Sequence, residues 1–188
     1  MSKILVDTID TRSGTTTLTL GSSNAGTIAL GSGDVQSNFL YPAFEAYLAS
    51  DQSISAETYT KVTINTEVLD TGSMYDNSTN YRFTPTVAGK YFIYGSVIGE
   101  SSSNAGLQYT KSAIYKNGSV YKEQIIHFTT NYGRRAAANI SANIDFNGST
   151  DYVELYGSVK ISSGSATIEG NGTWNKGTYF GAYRLIGA

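Results

Sequence analysis

The stretch Phe83-Thr84-Pro85-Thr86-Val87-Ala88-Gly89-Lys90-Tyr91-Phe92-Ile93 restricts the folds open to this chain more than any other. Pro85 has a fixed φ and no N–H to donate, so a strand has to end there. Gly89, four residues on, can take the positive φ that a tight reversal needs. The run that follows, 91–98, is almost continuously apolar, which predicts a strand buried on both faces. A turn bracketed by Pro and Gly that feeds such a strand points to packed β-sheets.

The remainder of 39–188 carries the same kind of signal, with turn residues every 8–15 positions. Strands are predicted over 59–65, 91–98, 109–116, 120–128, 140–146, 152–159, 165–169 and 179–186. Asn117-Gly118 sits between two of them and is a strong short hairpin signal. Asn147-Gly148 turns the chain after Ile140-Ser141-Ala142-Asn143-Ile144-Asp145-Phe146, where apolar and polar residues alternate. Phe44, Ala46 and Leu48 share a face by the same period of two. No 3.6-residue apolar period is sustained anywhere. Eight to ten strands in about 150 residues make an all-β sandwich of the jelly-roll type.

Composition agrees. Only 15% of the 188 residues are charged, against the ~25% usual in soluble domains. Ser, Thr, Asn and Gly therefore supply the polar surface, which suits sheets and turns. A net charge of −2 without a basic stripe argues against nucleic acid. The absence of Cys removes disulfides, thiolate zinc sites and Cys nucleophiles, so the core or an oligomer must hold the chain. No apolar run approaches a membrane span or a signal-peptide core.

The sequence divides into residues 1–38 and 39–188. In the first part Thr17-Leu18-Thr19-Leu20-Gly21-Ser22 recurs as Thr27-Ile28-Ala29-Leu30-Gly31-Ser32, ten positions later. Strands this short cannot bury a face alone, so the repeat predicts a stem in which several chains stack their β-pieces; a flexible low-complexity tail is the alternative. The opening segment, with Ile4, Val6 and Ile9, is similar to the start of short bacteriophage fibre proteins and is read as an attachment segment.

Five blocks resemble, in order, the C1q/TNF-like jelly-roll family, over roughly 42–186. They are the first strand at 43–48, the 83–93 block, Ala113-Ile114-Tyr115-Lys116-Asn117-Gly118, the 146–155 turn and strand, and Tyr179-Phe180-Gly181-Ala182-Tyr183-Arg184-Leu185. Ile93 stands where Phe is common, Thr150-Asp151 where Gly-Asp is usual, and Tyr179 where Phe is usual. The collagen stalk of animal C1q proteins is missing. The resemblance implies a homotrimer whose first and last strands lie near the threefold axis. Phe44, Tyr91, Tyr94, Tyr179, Phe180 and Tyr183 are the expected trimer-interface residues. With the opening segment and no signal peptide, it implies a virion protein assembled in a host cytoplasm: a bacteriophage tail fibre or knob with a C1q-like head for host attachment. A capsid decoration or head-fibre protein with a mainly structural role is the alternative, and a bacterial C1q-like surface adhesin the third. The expected partners are further virion proteins of tail, baseplate or capsid, bound through the N-terminus, and a host-surface glycan or protein.

Catalysis has little to stand on. His127, the single histidine, sits in a strand with no Gly-x-Ser-x-Gly elbow elsewhere. Asp70 with Asp76, Asp145 with Asp151, and Glu154 with Glu169 are the acidic pairs. Of these, Asp145 and Asp151 are weak Ca²⁺ candidates, with solvated loop charges as the alternative. No cofactor is expected. Three loops, around 74–81, 129–135 and 171–176, mix aromatic faces with amides and charges, as sugar sites do. Tyr75, Asn77, Tyr81, Tyr132, Arg134, Arg135, Trp174 and Asn175 are the expected receptor- or glycan-binding residues.

Overall fold

The computed structural model describes residues 42–130 and 132–185. Their strands, in chain order, are β1 (Ala43–Tyr47), β2 (Gln52–Ser53), β3 (Thr60–Lys61), β4 (Thr66–Asp70), β5 (Tyr75–Asp76), β6 (Arg82–Phe83), β7 (Gly89–Ser101), β8 (Leu107–Lys116), β9 (Ser119–His127), β10 (Arg135–Phe146), β11 (Val153–Ile161), β12 (Ala166–Ile168) and β13 (Tyr179–Arg184). Between β12 and β13 a single helical turn covers Asn171–Trp174. The ten-residue repeat and the attachment segment with Ile4, Val6 and Ile9 lie outside the described residues.

All pairings among the described strands are antiparallel, and they form two sheets. One, of seven strands, runs β10–β7–β13–β1–β4, with β12 and then β2 continuing beside the second half of β7. The other, of six strands, runs β9–β8–β11, with β6 and β3 sharing the far edge of β11 and β5 beside β6. The core fills the space between them. Phe44, Ile93, Ile144 and Phe180 enter from one sheet; Phe83, Ile114, Val153 and Leu155 enter from the other. Phe44 stacks on Tyr75 at 4.5 Å and on Phe83 at 4.6 Å, and meets Phe180 edge-on at 5.3 Å. Offset and edge-to-face rings of this kind add about 0.5–1.5 kcal/mol per pair beyond the area they bury.

Local sequence explains the turns. Asn117 and Gly118 both have positive φ, 52° and 80°, as a two-residue hairpin between β8 and β9 requires. Pro85 ends β6, and Gly89 opens β7 at φ 141°. Asn147 receives the N–H groups of Ser149, Thr150 and Asp151 on its side-chain oxygen, which closes the turn from β10 to β11.

Two expected strands come out differently. Over 59–65 the ladder covers only Thr60–Lys61. There the Gln52 carboxamide takes the place of a strand, accepting from the Thr63 N–H at 3.0 Å and donating to the Lys61 carbonyl at 2.9 Å. β7 is not buried on both faces throughout: Tyr91 and Ile93 point inward, Phe92 and Tyr94 stay half-buried outside, and only its second half is covered on both sides.

Candidate functional site

Two adjacent strands of the seven-stranded sheet carry an aromatic cluster on their outer side. Phe92 and Tyr94 come from β7, Tyr179 and Tyr183 from β13. Ring centroids are 5.4 Å apart for Phe92–Tyr183, 6.0 Å for Phe92–Tyr94, 6.1 Å for Tyr94–Tyr179 and 6.3 Å for Tyr94–Tyr183. Tyr94 lies opposite Gly181, and Gly181 lies opposite Glu45 of β1. A Cβ on residue 181 would sit 2.4 Å from the Tyr94 ring, so glycine is what lets that ring cross β13. The hydroxyl then donates to the Glu45 carboxylate at 2.8 Å. Burial, and next the Glu45 carboxylate that accepts its proton, hold the Tyr94 phenol well above the ordinary tyrosine range.

A second unusual surface lies at the edge of the other sheet. All nine residues of β9 are exposed, although β8 pairs with the strand along its length. Val120, Tyr121, Ile125 and Ile126 show between 37% and 51% of their surface, too much apolar area for a strand that ends a sheet in water. Two side chains drape it over β10: Tyr121 donates to the Asn143 carbonyl at 3.1 Å and Lys122 to the Ser141 carbonyl at 2.8 Å. The apolar edge and the aromatic face belong to opposite sheets.

The outer side of the six-stranded sheet is aromatic too, but cations interrupt it. Tyr115 stacks on Tyr156 at 3.9 Å, and Tyr59 meets Tyr115 edge-on at 6.2 Å. Tyr59 donates to Glu123, and Lys61 pairs with the buried Glu154 at 2.5 Å. Lys111 lies over the Tyr59 ring at 5.4 Å and the Tyr109 ring at 5.5 Å.

With these surfaces described, the comparison with known proteins can be made. The sequence matches no family model and no curated protein. Solved structures do match in three dimensions. The Eiger TNF of S. frugiperda superposes with a TM-score of 0.56 at 9% identity, covering 79% of this chain and 95% of its own. The globular domain of zebrafish complement 1qA gives 0.55 at 12% identity, covering 77% and 98%, and murine APRIL at pH 5.0 gives 0.54 at 12% identity with the same coverage. The chain has a C1q/TNF-like jelly-roll fold. The all-β expectation and the sandwich are thereby confirmed at the level of fold.

On this jelly roll the expected interface residues separate into two groups. Phe44, Tyr91 and Phe180 are buried in the protomer, at 1%, 0% and 0% exposure, and are core, contrary to the expectation. Sequence alternation around each reads equally well for either face until the register is known. Tyr94, Tyr179 and Tyr183 do lie on the outer cluster, joined by Phe92, which the apparent two-sided burial of its run concealed.

The expected receptor-binding residues do not form one site. The β1 register places Asp70 opposite Phe44 at one end of the jelly roll; that of β10 places Arg135 opposite Glu100 at the other. The loop after β4 is thus remote from the loops before β10 and β13. Tyr75 is also core: it is 5% exposed and its hydroxyl donates to the Ile64 carbonyl at 2.9 Å. Asn77 and Tyr81 belong to a loop tied by Asp76, whose carboxylate accepts the N–H groups of Ser78, Thr79 and Asn80. Those bonds, the Thr79 one foremost, hold its carboxyl below the usual range.

Arg134 and Arg135 point into the protein's own charges and not toward a ligand. Arg134 Nε lies 2.7 Å from Glu100; Arg135 lies 2.9 Å from Glu100 and 2.5 Å from Glu169. Both carboxylates are buried. Burial, with Glu100 beside it, pushes the Glu169 carboxyl up; Glu100, although burial opposes its ionisation, is held down by its bond to Glu169 and by the two guanidinium groups. Trp174 ends the helical turn, and Asn175 follows it with a left-handed φ of 34°. Tyr132 lines a groove beside His127, Lys111 and Lys160, while Tyr75 and Asn77 line a separate one with Asp76, Asn80 and Arg82.

The acidic pairs are not paired with each other. Asp70 accepts the N–H groups of Met74 and Tyr75, while Glu154 and Glu169 serve Lys61 and Arg135. Asp145 pairs with Lys90 at 3.1 Å; Asp151 pairs with Lys116 at 3.2 Å and accepts from Asn117 at 2.8 Å. Among the described residues no group of three or more His, Cys, Asp or Glu side chains is placed to hold a metal ion.

Proposed function

We propose that this chain is a homotrimeric virion surface protein, a tail fibre or knob of a tailed bacteriophage, whose jelly-roll head binds host-surface glycan. The observation that carries the assembly is the pair of unequal surfaces on one protomer, a flat aromatic face on one sheet and an apolar strand edge on the other. Because the two surfaces belong to opposite sheets, one twofold contact does not cover both. Matched head to tail they form a ring where the rotation closes and a filament where it does not. Three is the ring size that the C1q/TNF-like resemblance implies. The four outer rings are already half-buried in the protomer, so docking would remove only the remainder of the roughly 150–250 Å² that each such side chain can bury.

The attachment segment with Ile4, Val6 and Ile9 supports the virion role, and the tyrosine- and lysine-bearing outer sheet supports binding of a polar ligand. Three weak sites on one trimer, multiplied over a particle, give avidity without a tight single site.

Light scattering on the purified chain tests the assembly. The expected mass is three times the 20.1 kDa of one chain. A single-chain mass at micromolar concentration overturns it. Cross-linking of residues 1–12 to their neighbours in intact particles tests the location: tail or baseplate protein supports the fibre, and capsid protein replaces it with a decoration role.

A further inference from the structure

The outer side of the six-stranded sheet ends in a groove of about 440 Å³, lined among others by Gln108, Tyr109, Lys111, His127, Tyr132 and Lys160, with Ile125 of the apolar β9 edge on its border. These come from β8, β9, β11 and the loop before β10, and the register explains why they meet. Tyr109 lies opposite both His127 and Lys160, so all three point to the same side, as does Lys111 two positions along. The loop bearing Tyr132 is pinned: the Leu107 N–H donates to the Gly133 carbonyl at 2.8 Å, and the Phe128 N–H to the Gln108 carbonyl at 2.8 Å.

The charges in and around the groove are unequally satisfied. Lys160 pairs with Glu57 at 3.0 Å, and Glu123 accepts the Tyr59 hydroxyl. Lys111 has no carboxylate partner among the described residues. Its ammonium is held by two ring faces, at 5.4 and 5.5 Å, which fix its position and leave its charge available. His127 packs edge-on against Tyr109 at 6.1 Å. One fixed cation, tyrosine faces beside it, and amide and imidazole groups within the same groove suit a pyranose ring that bears a carboxylate. The volume falls within the range of small-ligand sites.

We propose that this groove binds a carboxylate-bearing sugar residue, with Lys111 as its charge anchor, Tyr109 and Tyr132 as stacking faces, and Gln108 and His127 as hydroxyl partners. The proposal rests on the glycan-binding reading above and narrows it to acidic glycans at one named place. A single unpaired cation matches one carboxylate on a ring. An acidic peptide or a nucleic-acid strand brings repeated charges, and the groove offers no matching row.

The test is titration of the full chain, as assembled, with 3′-sialyllactose, galacturonic acid and a polyglutamate peptide against lactose. Ligand-observed NMR is the readout, at ligand concentrations up to roughly 10 mM, where even affinities weaker than 1 mM register. The expected result is that an acidic sugar binds and lactose does not. Lys111→Gln then weakens binding about tenfold or more, Lys111→Arg restores most of it, and Lys90→Gln at the far end changes nothing. Light scattering on each variant confirms that assembly is unchanged. Equal binding of acidic and neutral sugars, or full binding by Lys111→Gln, overturns the proposal while leaving the glycan reading intact. Binding of a polyglutamate peptide in preference to every sugar replaces the ligand class. No saccharide binding at all overturns both readings, and the mass measurement judges the trimer separately.

Discussion

Two outer surfaces of this jelly roll are rich in aromatic side chains, yet they differ in the charges set among the rings. On the seven-stranded sheet Phe92, Tyr94, Tyr179 and Tyr183 contact one another, with the Glu45 carboxylate bonded to the cluster by Tyr94. On the six-stranded sheet Tyr59, Tyr115 and Tyr156 touch as well, but Lys111 lies over both the Tyr59 and Tyr109 rings and Lys61 stands opposite Tyr156. Rings without cations remove water best against another flat apolar surface. Rings with an ammonium between them keep a polar function and suit a ligand that is part sugar face, part anion. On the proposed function, the placement of Lys61 and Lys111 divides one residue type between assembly and recognition.

The contrast can be broken at several points. The largest effect is expected where a ring belongs to neither surface. Phe44→Ala should cost about 3–5 kcal/mol in denaturant unfolding, as deletion of a core aromatic does, while Tyr183→Ala, half-exposed on the outer cluster, should cost far less in the separated protomer. Equal losses would mean that the outer rings are core as well.

Next comes the division between the sheets. Tyr94→Glu should reduce the scattering mass from three chains to one with an unchanged far-ultraviolet circular dichroism spectrum. Tyr115→Glu, on the opposite sheet, should leave the mass at three. Dissociation by both substitutions would erase the proposed difference.

A smaller effect concerns the buried charges at the end of the seven-stranded sheet. The folded protein raises the Glu169 carboxyl above its ordinary value, so this group favours folding at low pH, and that contribution is lost as pH rises through the raised value. Glu169→Gln should therefore gain stability relative to the parent as pH is raised from about 4 to about 8 in thermal melts. Glu100 is lowered and has the opposite sign: its contribution is present above the ordinary Glu range and is lost as pH falls through the lowered value. Parallel behaviour of Glu169→Gln and Glu100→Gln would show that the two carboxyls do not divide the charge in this way.

The smallest change is expected at Lys90, which pairs with Asp145 on the surface. Lys90→Ala should alter unfolding by less than about 1 kcal/mol and disappear in high salt. A larger loss would show that this outer corner is covered in the assembly.

Much of the fold was legible because its long strands obey a period of two and because Asn117-Gly118 specifies its turn unaided. β4 was not legible: Thr66-Glu67-Val68-Leu69-Asp70 is largely exposed, so its sequence carries no inside–outside alternation. Tyr75 resembled a loop aromatic, since Met74, Asp76 and Asn77 around it read as a turn. Its burial depends on stacking against Phe44, thirty-one positions away. Of the three loops read as sugar-like, the one after β4 lies at the opposite end from the other two, a placement set by strand direction, which composition does not encode. The groove was least legible. Lys111, His127, Tyr132 and Lys160 are isolated in sequence and become neighbours only through the registers of β8, β9 and β11.

Tyr94 spans three strands: it starts on β7, passes over the bare backbone of β13 and is fastened to β1. A side chain tied down in this manner has surrendered its rotamer freedom before any second copy arrives. Its share of the ordering entropy is spent during folding of the single chain and not during docking. The hydrogen-bonding needs of its hydroxyl are likewise met internally, so that end of the ring asks nothing of an incoming surface. A protomer prepared in this way can recognise its neighbour by shape, with little rearrangement at the moment of contact.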